Sequence, residues 1–481
     1  MYFKKRYIVL FILAAFIFGF AGAYVGAKVL QPKIINQGTS FPLSEMNEKN
    51  NPEEVSKVIQ AYQIIKQHYI DDVDDHTLFE GAIKGMLDTL NDPYSTYMDI
   101  EEMDRFNEQI ESSFQGIGAE VSIVDDKVTI VAPIKDSPAE EAGLRPNDQI
   151  LRVDNESLEG YDLNEAVEKI RGEKGSEVVL EILRPGASEP FEVTIVRDDI
   201  PVETVYADTR SVNGKNTGIL TITSFSEHTA KEFEEHLKKL ENDGIEGLVI
   251  DVRGNPGGIL ESVEEIMHHF IPKDVPYIQI EDQEGNKTPY YTTLDKKKNY
   301  PINVLIDEGS ASASEILAVA MKEVGYDVIG STSFGKGTVQ QAVPLGDGST
   351  IKLTFYKWLS PNGNWINETG VEPTIEKKQP EYYYTNPIQI DEPLTFNQTG
   401  EHIKSMQIML SGLGYELTRQ DGYFDEQTKE VVKKFQNDHD LAATGEVDEE
   451  TARTIEMKIV EKIRNGEDDH KLKAALDHLY K

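Results

Sequence analysis

The hydrophobic period of this chain changes several times along its length, and no single core can satisfy every version of it. From Pro52 to about Gln109, apolar residues recur at helical spacing (Val58-Ile59, Tyr62, Ile64-Ile65, Tyr69) until Asn91-Asp92-Pro93-Tyr94-Ser95 interrupts with a turn. Residues 110–198 switch to short strand-like runs at 119–124, 127–131, 149–153, 177–183 and 191–195, around one amphipathic helix at 163–171. Turn signals such as Asp125-Asp126 and Pro146-Asn147-Asp148 separate them, which predicts a small, partly open β-barrel. From about 200 to 380, strands alternate with helices. Residues 217–225 read as a strand and 226–241 as a helix with Ser226 at its N-cap. Residues 248–252, 303–306 and 328–330 read as covered strands, and 312–324 as a helix closed by Gly325. Residues 398–458 return to a helical period, and 459–481 read as one charged amphipathic helix. No internal repeat is evident.

A chain of 481 residues exceeds one hydrophobic core and argues for three or four domains. The expectation is a multidomain α/β protein. It comprises residues 1–30 as membrane anchor or signal peptide, 31–51 as tether, 52–109 as a helical N-terminal region and 110–198 as the β-barrel. An α/β core at 199–380, a helical unit at 398–458 and a helical tail at 459–481 complete it. Lys4, Lys5 and Arg6 precede 21 uncharged residues from Tyr7 to Ala27, close to the ~20 needed to cross a bilayer as a helix. This predicts a single-pass cell-membrane protein with its bulk outside the cytoplasm. The alternative is secretion after cleavage near Ala21-Gly22-Ala23. The net charge of −37 speaks against nucleic acid and anionic lipid surfaces. The absence of cysteine excludes a disulfide framework, a thiolate metal site and a cysteine nucleophile.

Three stretches suggest chemistry. The first pairs Gly309-Ser310-Ala311-Ser312-Ala313-Ser314-Glu315 with Ser333-Phe334-Gly335-Lys336-Gly337-Thr338-Val339-Gln340. A hydroxyl at the mouth of a helix sits beside free N–H groups and the positive end of the dipole, a setting for a nucleophile whose attack creates an oxyanion. The plain alternative is a helix cap, since Ser312-x-x-Glu315 matches a capping box. The candidate base is a lysine. None of the ten histidines falls between His269 and His402, and His228, His236, His268 and His269 lie on polar helical patterns. Lys336 stands in an otherwise uncharged segment, where desolvation can lower an amine by up to roughly 3–5 pKa units. Gln340, four residues on, shares its face if the strand is continuous.

The second stretch, Asp251-Val252-Arg253-Gly254-Asn255-Pro256-Gly257-Gly258, follows a buried strand. There, Gly257 and Gly258 allow N–H groups to approach a reacting carbonyl, or else form an ordinary strand-to-helix turn. The third is Phe114-Gln115-Gly116-Ile117-Gly118-Ala119. A Gly-x-Gly loop before a strand can hold a peptide carboxylate while the peptide adds to the strand edge. Ile117, Ala119, Val121, Val167 and Ile170 would line an apolar pocket, and Arg171 at the helix end reads as a solvated arginine or as the partner of an acid elsewhere; with Gly116 and Gly118 these are the candidate peptide-binding residues. The alternative is a plain β core.

Together GSASASEI, SFGKGTVQQ, DVRGNPGG, the NDPYSTYM turn and FQGIG resemble the carboxyl-terminal processing peptidase family over residues 52–380, and most nearly its CtpB-like members from spore-forming bacteria. The resemblance implies a serine endopeptidase with Ser312 as nucleophile, Lys336 as base, Gln340 as its support and no metal or cofactor. It further implies oxyanion donors at Gly257, Gly258 and Ala313, and a PDZ domain that reads apolar C-terminal tails. The setting it implies is cleavage of sporulation signalling proteins. Met406-Gln407, Leu413-Gly414-Tyr415, Asp421-Gly422-Tyr423-Phe424, Phe435-Gln436 and Thr444-Gly445 resemble the three-helix peptidoglycan-binding domain. A catalytically idle PDZ and wall-binding scaffold is the rival reading, and the helical ends leave a homodimer open.

Overall fold

A computed structural model of the protein describes residues 53–124, 127–187, 189–390 and 392–481. It divides into two units, one ending at Gly85 and the other beginning at Met86. In the first, helix α1 (Glu53–His68) meets the start of helix α2 (Asp75–Asp88). The Tyr62 ring stacks on Phe79 at 4.9 Å, and its hydroxyl donates to Asp75, which also pairs with Lys66. Val58, Ile59, Ile64 and Tyr69 remain exposed.

The second unit opens with the turn at 91–95, strand β1 (Thr96–Met98), helix α3 (Ile100–Glu111) and strand β2 (Ser113–Gly116). An antiparallel sheet follows, built from β3 (Ala119–Val124), β4 (Lys127–Pro133), β5 (Gln149–Val153), β7 (Glu177–Leu183) and β8 (Phe191–Val196), in that order. A short helix α4 (Pro138–Glu141) follows β4, a short β6 (Glu156–Ser157) flanks β5, and helix α5 (Leu163–Ile170) covers the core. Alternation places Val178, Leu180 and Ile182 of β7 inside, as a half-buried strand requires. Strand β3 lies at the sheet edge. Strand β9 (Asp198–Pro201) pairs with β2, so this domain enters and leaves through one two-stranded ribbon.

Hairpin β10 (Val205–Val212)–β11 (Lys215–Ile222) then leads into helix α6 (Thr229–Asn242), strand β12 (Gly247–Asp251), helix α7 (Leu260–Met267) and hairpin β13 (Pro276–Glu281)–β14 (Lys287–Tyr291). Strand β15 (Ile302–Ile306), helix α8 (Ala313–Glu323), strand β16 (Asp327–Gly330), hairpin β17 (Thr338–Pro344)–β18 (Thr350–Leu359) and strand β19 (Ile375–Glu376) follow. The central sheet runs β10-β11-β12-β15-β16-β19 and is parallel from β11 onward. Every residue of β12 and β15 is buried, which explains their unbroken apolar runs: both faces of the sheet are covered. Side chains of α6, α7 and α8 pack on one face.

The other face is covered by the end of the chain. The expected single tail helix is two: α11 (Glu449–Arg464) stops at Asn465 and Gly466 (φ +64°), and α12 (His470–His478) starts from Asp469 as N-cap. Leu472, Ala475, Leu476 and Leu479 pack on Ile219, Val249, Leu305 and Ile329, each large side chain contributing about 1.5–3 kcal/mol of burial. Between core and tail, α9 (Glu401–Gly412), α10 (Glu426–Asp438) and α11 form a three-helix unit. It carries a repeat that the sequence reading missed. Gln407 and Gln436 each accept a glycine N–H (Gly422, Gly445), and Asp425 and Asp448 each cap a helix by accepting from Thr428 and Thr451.

Other expectations need correction. Ser226 is not an N-cap; its N–H and hydroxyl bond to Thr229, and the helix begins after His228. The single-pass anchor does not stand, because no helix among the described residues is long and apolar enough to cross a membrane. The run at 7–27 that suggested it, Ala21-Gly22-Ala23, the tether at 31–51 and the Asp125-Asp126 turn lie outside the described residues.

Candidate active site

Three adjacent parallel strands end side by side, and each releases one of the suspect loops. Strand β12 ends at Asp251 and gives the glycine loop; β15 ends at Ile306 and gives the serine loop; β16 ends at Gly330 and gives the lysine loop. The carboxyl ends of parallel strands are where open α/β sheets hold ligands.

The serine loop separates its three hydroxyls. Ser310 Oγ donates to Val252 O (2.8 Å) and accepts from Asp307 N (2.9 Å), while Ser314 Oγ donates to Asn255 O (2.9 Å); both side chains are buried. Ser312 is half-buried and stands at the N-cap of α8 in the expected capping-box arrangement with Glu315, but its hydroxyl makes no hydrogen bond of normal geometry. Its backbone lies at φ +54°, ψ −112°, a sparsely populated conformation that costs a non-glycine residue roughly 1–3 kcal/mol and persists only where its surroundings enforce it.

The enforcing group is Glu315, which sequence reasoning took only as a capping partner. Its carboxylate is fully buried and accepts four hydrogen bonds. Ser312 N (2.8 Å) and Lys336 N (2.8 Å) share Oε2, while Ser333 Oγ (2.6 Å) and Gly335 N (2.6 Å) share Oε1. The backbones of Ser312 and Lys336 are thus two hydrogen-bond lengths apart. The available signal was a lone acid near the start of an otherwise apolar helix, Ala-Ser-Glu-Ile-Leu-Ala-Val-Ala-Met.

Lys336 sits outside strand β17, which begins at Thr338 and carries a bulge between Val339 and Gln340. The continuous strand that would have set Lys336 and Gln340 on one face is therefore absent. Gln340 Nε2 instead donates to Thr338 Oγ1 (2.9 Å) and Thr354 Oγ1 (3.0 Å). The Lys336 carbonyl accepts from Trp358 Nε1 (2.8 Å), and Gly337 N donates to Asn367 (3.0 Å). Burial pushes the Lys336 amine below the ordinary lysine value and the Lys352 charge adds to this, against the opposing pull of Asp92 and Glu315.

The glycine loop presses on the serine. A Cβ on Gly257 would fall 2.8 Å from Ser312 Cβ and 2.7 Å from Ala311 O. The Gly257 N–H itself is committed to Asn255 Oδ1 (2.8 Å), whose Nδ2 donates to Ile222 O. Among the described residues the N–H groups of Gly258 and Ala313 have no acceptor. A cleft of about 570 Å³ opens on Pro256, Gly257 and Gly258 and runs past Phe225, Phe114 and Arg171. Arg171 is not simply solvated: it pairs with Glu108 (3.5 Å) and stacks on Phe114 (4.8 Å).

In the β-barrel, Ile117, Ala119, Val121 and Ile170 share one apolar cluster, and Val167 is half-buried on the same helix as Ile170. The N–H groups of Ile117 and Gly118, beside edge strand β3, have no acceptor among the described residues, while Gly116 pairs in the ribbon. Gly118 has φ +76° and lies against Ser137, so no side chain fits there.

Profiles of known families match this arrangement segment by segment: peptidase family S41 over residues 216–377, a PDZ domain over 129–184, a peptidoglycan binding domain over 399–455 and the activating protease CtpB N-terminal domain over 16–102. The carboxy-terminal processing protease CtpB of Bacillus subtilis (strain 168) is 51% identical over 96% of this chain and 97% of its own. CtpA of the same organism is 40% identical over 92% and 94%. Among solved structures, the photosystem II D1 C-terminal processing protease aligns at 25% identity over 68% of this chain and 94% of its own, with a TM-score of 0.42. The chain belongs to peptidase family S41, as a serine-type carboxyl-terminal processing protease that carries a PDZ domain.

Proposed function

We propose that the protein hydrolyses peptide bonds with Ser312 as nucleophile and Lys336 as general base. The observation that carries this reading is the contrast among the three serines beside Glu315: two hydroxyls hold the loop together, and the remaining one stands on strained backbone whose N–H shares a Glu315 oxygen with the N–H of Lys336, a residue whose amine burial holds below the ordinary lysine value. The neutral amine takes the Ser312 proton as Oγ bonds to the scissile carbonyl carbon. The N–H groups of Gly258 and Ala313 hold the resulting oxyanion, an interaction whose single donors are worth about 10²–10³ in kcat. The ammonium then protonates the departing amine as the C–N bond breaks; Lys336 next takes a proton from water as its oxygen bonds to the acyl carbon, and passes that proton to Ser312 Oγ as the ester bond breaks and the carboxylic acid leaves. Gln340 braces the wall of the lysine pocket through Thr338 and Thr354.

The same reading gives the PDZ domain apolar C-terminal tails. A peptide adds to the edge of β3, the N–H groups of Ile117 and Gly118 take its carboxylate, and the apolar cluster takes its last side chain. The three-helix unit attaches the enzyme to peptidoglycan. The test is cleavage of an unstructured polypeptide by the full chain beside Ser312→Ala and Lys336→Ala. Each substitution is expected to lower kcat by at least about 10³-fold; equal cleavage by all three would refute the assignment.

A further inference from the structure

The turn at residues 91–95 stood out in the sequence, and neither the peptidase chemistry nor the PDZ domain uses it. It is built from its own side chains: Asp92 accepts Tyr94 N (3.0 Å) and the Ser95 hydroxyl (2.6 Å), and Asn91 takes φ +51°. Strand β1, immediately after it, pairs with β18 at Thr350, Ile351 and Lys352. Ser95 Oγ accepts Thr354 N (3.1 Å), and Thr354 Oγ1 accepts Gln340 Nε2. The turn is therefore stitched to the strand beside the lysine loop. One consequence is that the Tyr94 ring lies 4.8 Å from Lys336 Nζ, with the amine over its face.

We propose that Tyr94 is a positioning residue for the peptidase reaction: its ring forms the wall that holds the Lys336 amine in place and shields it from water. This rests on Lys336 being the base. The ring acts on the amine in two opposed ways. A π face favours the cation, whereas excluding water disfavours it. Burial is the largest influence on Lys336, and in this proposal the ring's share of that burial outweighs its π attraction. The charges that face the amine are Lys352 from β18, which opposes its protonation, and Asp92 from the turn and Glu315 from α8, which favour it. Burial, and then the negative charges of Glu315, Asp92 and Glu368, push the Tyr94 phenol above its ordinary value and so keep it protonated. It therefore acts as an apolar wall and a neutral hydroxyl, not as a second base.

The test is kcat/KM against pH for the full chain on an unstructured polypeptide. Activity needs the neutral amine, so it rises with pH through an acid limb set by Lys336. Tyr94→Ala and Tyr94→Gln admit water and are expected to move that limb upward by about one pH unit, a tenfold loss at any fixed pH below it. Tyr94→Phe restores the ring and brings the limb back to the wild-type pH. An unmoved limb in a folded Ala or Gln variant overturns the proposal, and so does a downward move, which would make the ring a seat for the cation. Loss of cooperative melting in both variants assigns the ring to the fold and overturns it equally. Lys336→Ala, run alongside, separates the two ideas. Wild-type cleavage by it sinks the base assignment itself, whereas an inactive Lys336→Ala with an unmoved Tyr94→Ala limb sinks only the role of Tyr94.

Discussion

The serine loop and the lysine loop leave neighbouring strand ends, yet they are built in opposite ways. In the serine loop the flanking side chains are buried and bonded, and the side chain at its centre is left without a bond on strained backbone. In the lysine loop the backbone is pinned, at Lys336 N, Lys336 O and Gly337 N, and the Lys336 side chain is half-buried. A nucleophile needs presentation and a neutral amine base needs desolvation, so the two constructions are the ones the proposed roles of Ser312 and Lys336 call for. What relates them is a single buried carboxylate, Glu315, with one oxygen shared between the two backbones.

Removing that link should break the comparison most severely. Glu315→Ala leaves four donors without an acceptor, at about 1–3 kcal/mol for each one that water cannot reach. We expect a loss of several kcal/mol in urea unfolding and more than about 100-fold in kcat/KM. Activity that survives it would show that the two loops are registered independently. Gly257→Ala attacks the serine loop alone. The new Cβ meets Ala311 O and Ser312 Cβ at a position with φ +101°, so kcat should fall about 10–100-fold while the lysine-set acid limb stays in place. A shifted limb would mean the loops are not separable. The smallest effects sharpen the contrast among the serines: Ser310→Ala and Ser314→Ala should each cost about 1–3 kcal/mol of stability by leaving bonded groups unsatisfied, with kcat within roughly threefold of wild type in the folded fraction. A loss in either that rivals Ser312→Ala would mean the wrong hydroxyl has been singled out.

Much of this was legible in the sequence because it is local. Apolar runs ending in Gly-rich loops revealed the covered strands, and the Ser-Ala-Ser-Ala-Ser and Phe-Gly-Lys-Gly motifs revealed the loops. What escaped depends on distant partners. The four-donor role of Glu315 needs residues 333–336 folded against it, and nothing local distinguishes that from a cap. The commitment of the Gly257 N–H to Asn255, while those of Gly258 and Ala313 have no acceptor among the described residues, is a matter of loop conformation rather than composition. The strand assumed to run from Lys336 to Gln340 was broken by a bulge that its residues do not announce. The last helix showed its apolar stripe but not its target. Its Asp469 reaches back to Arg253, which also grips Asp251 at the end of β12, so the chain closes its own sheet across more than 200 residues.

The most direct test is to catch the acyl group. Acid-quenching a single turnover on a peptide substrate and mapping the ester by mass spectrometry should find it on Ser312, and should find none in Lys336→Ala. An ester on Ser310 or Ser314, or steady cleavage with no ester on any serine, would contradict the assignment.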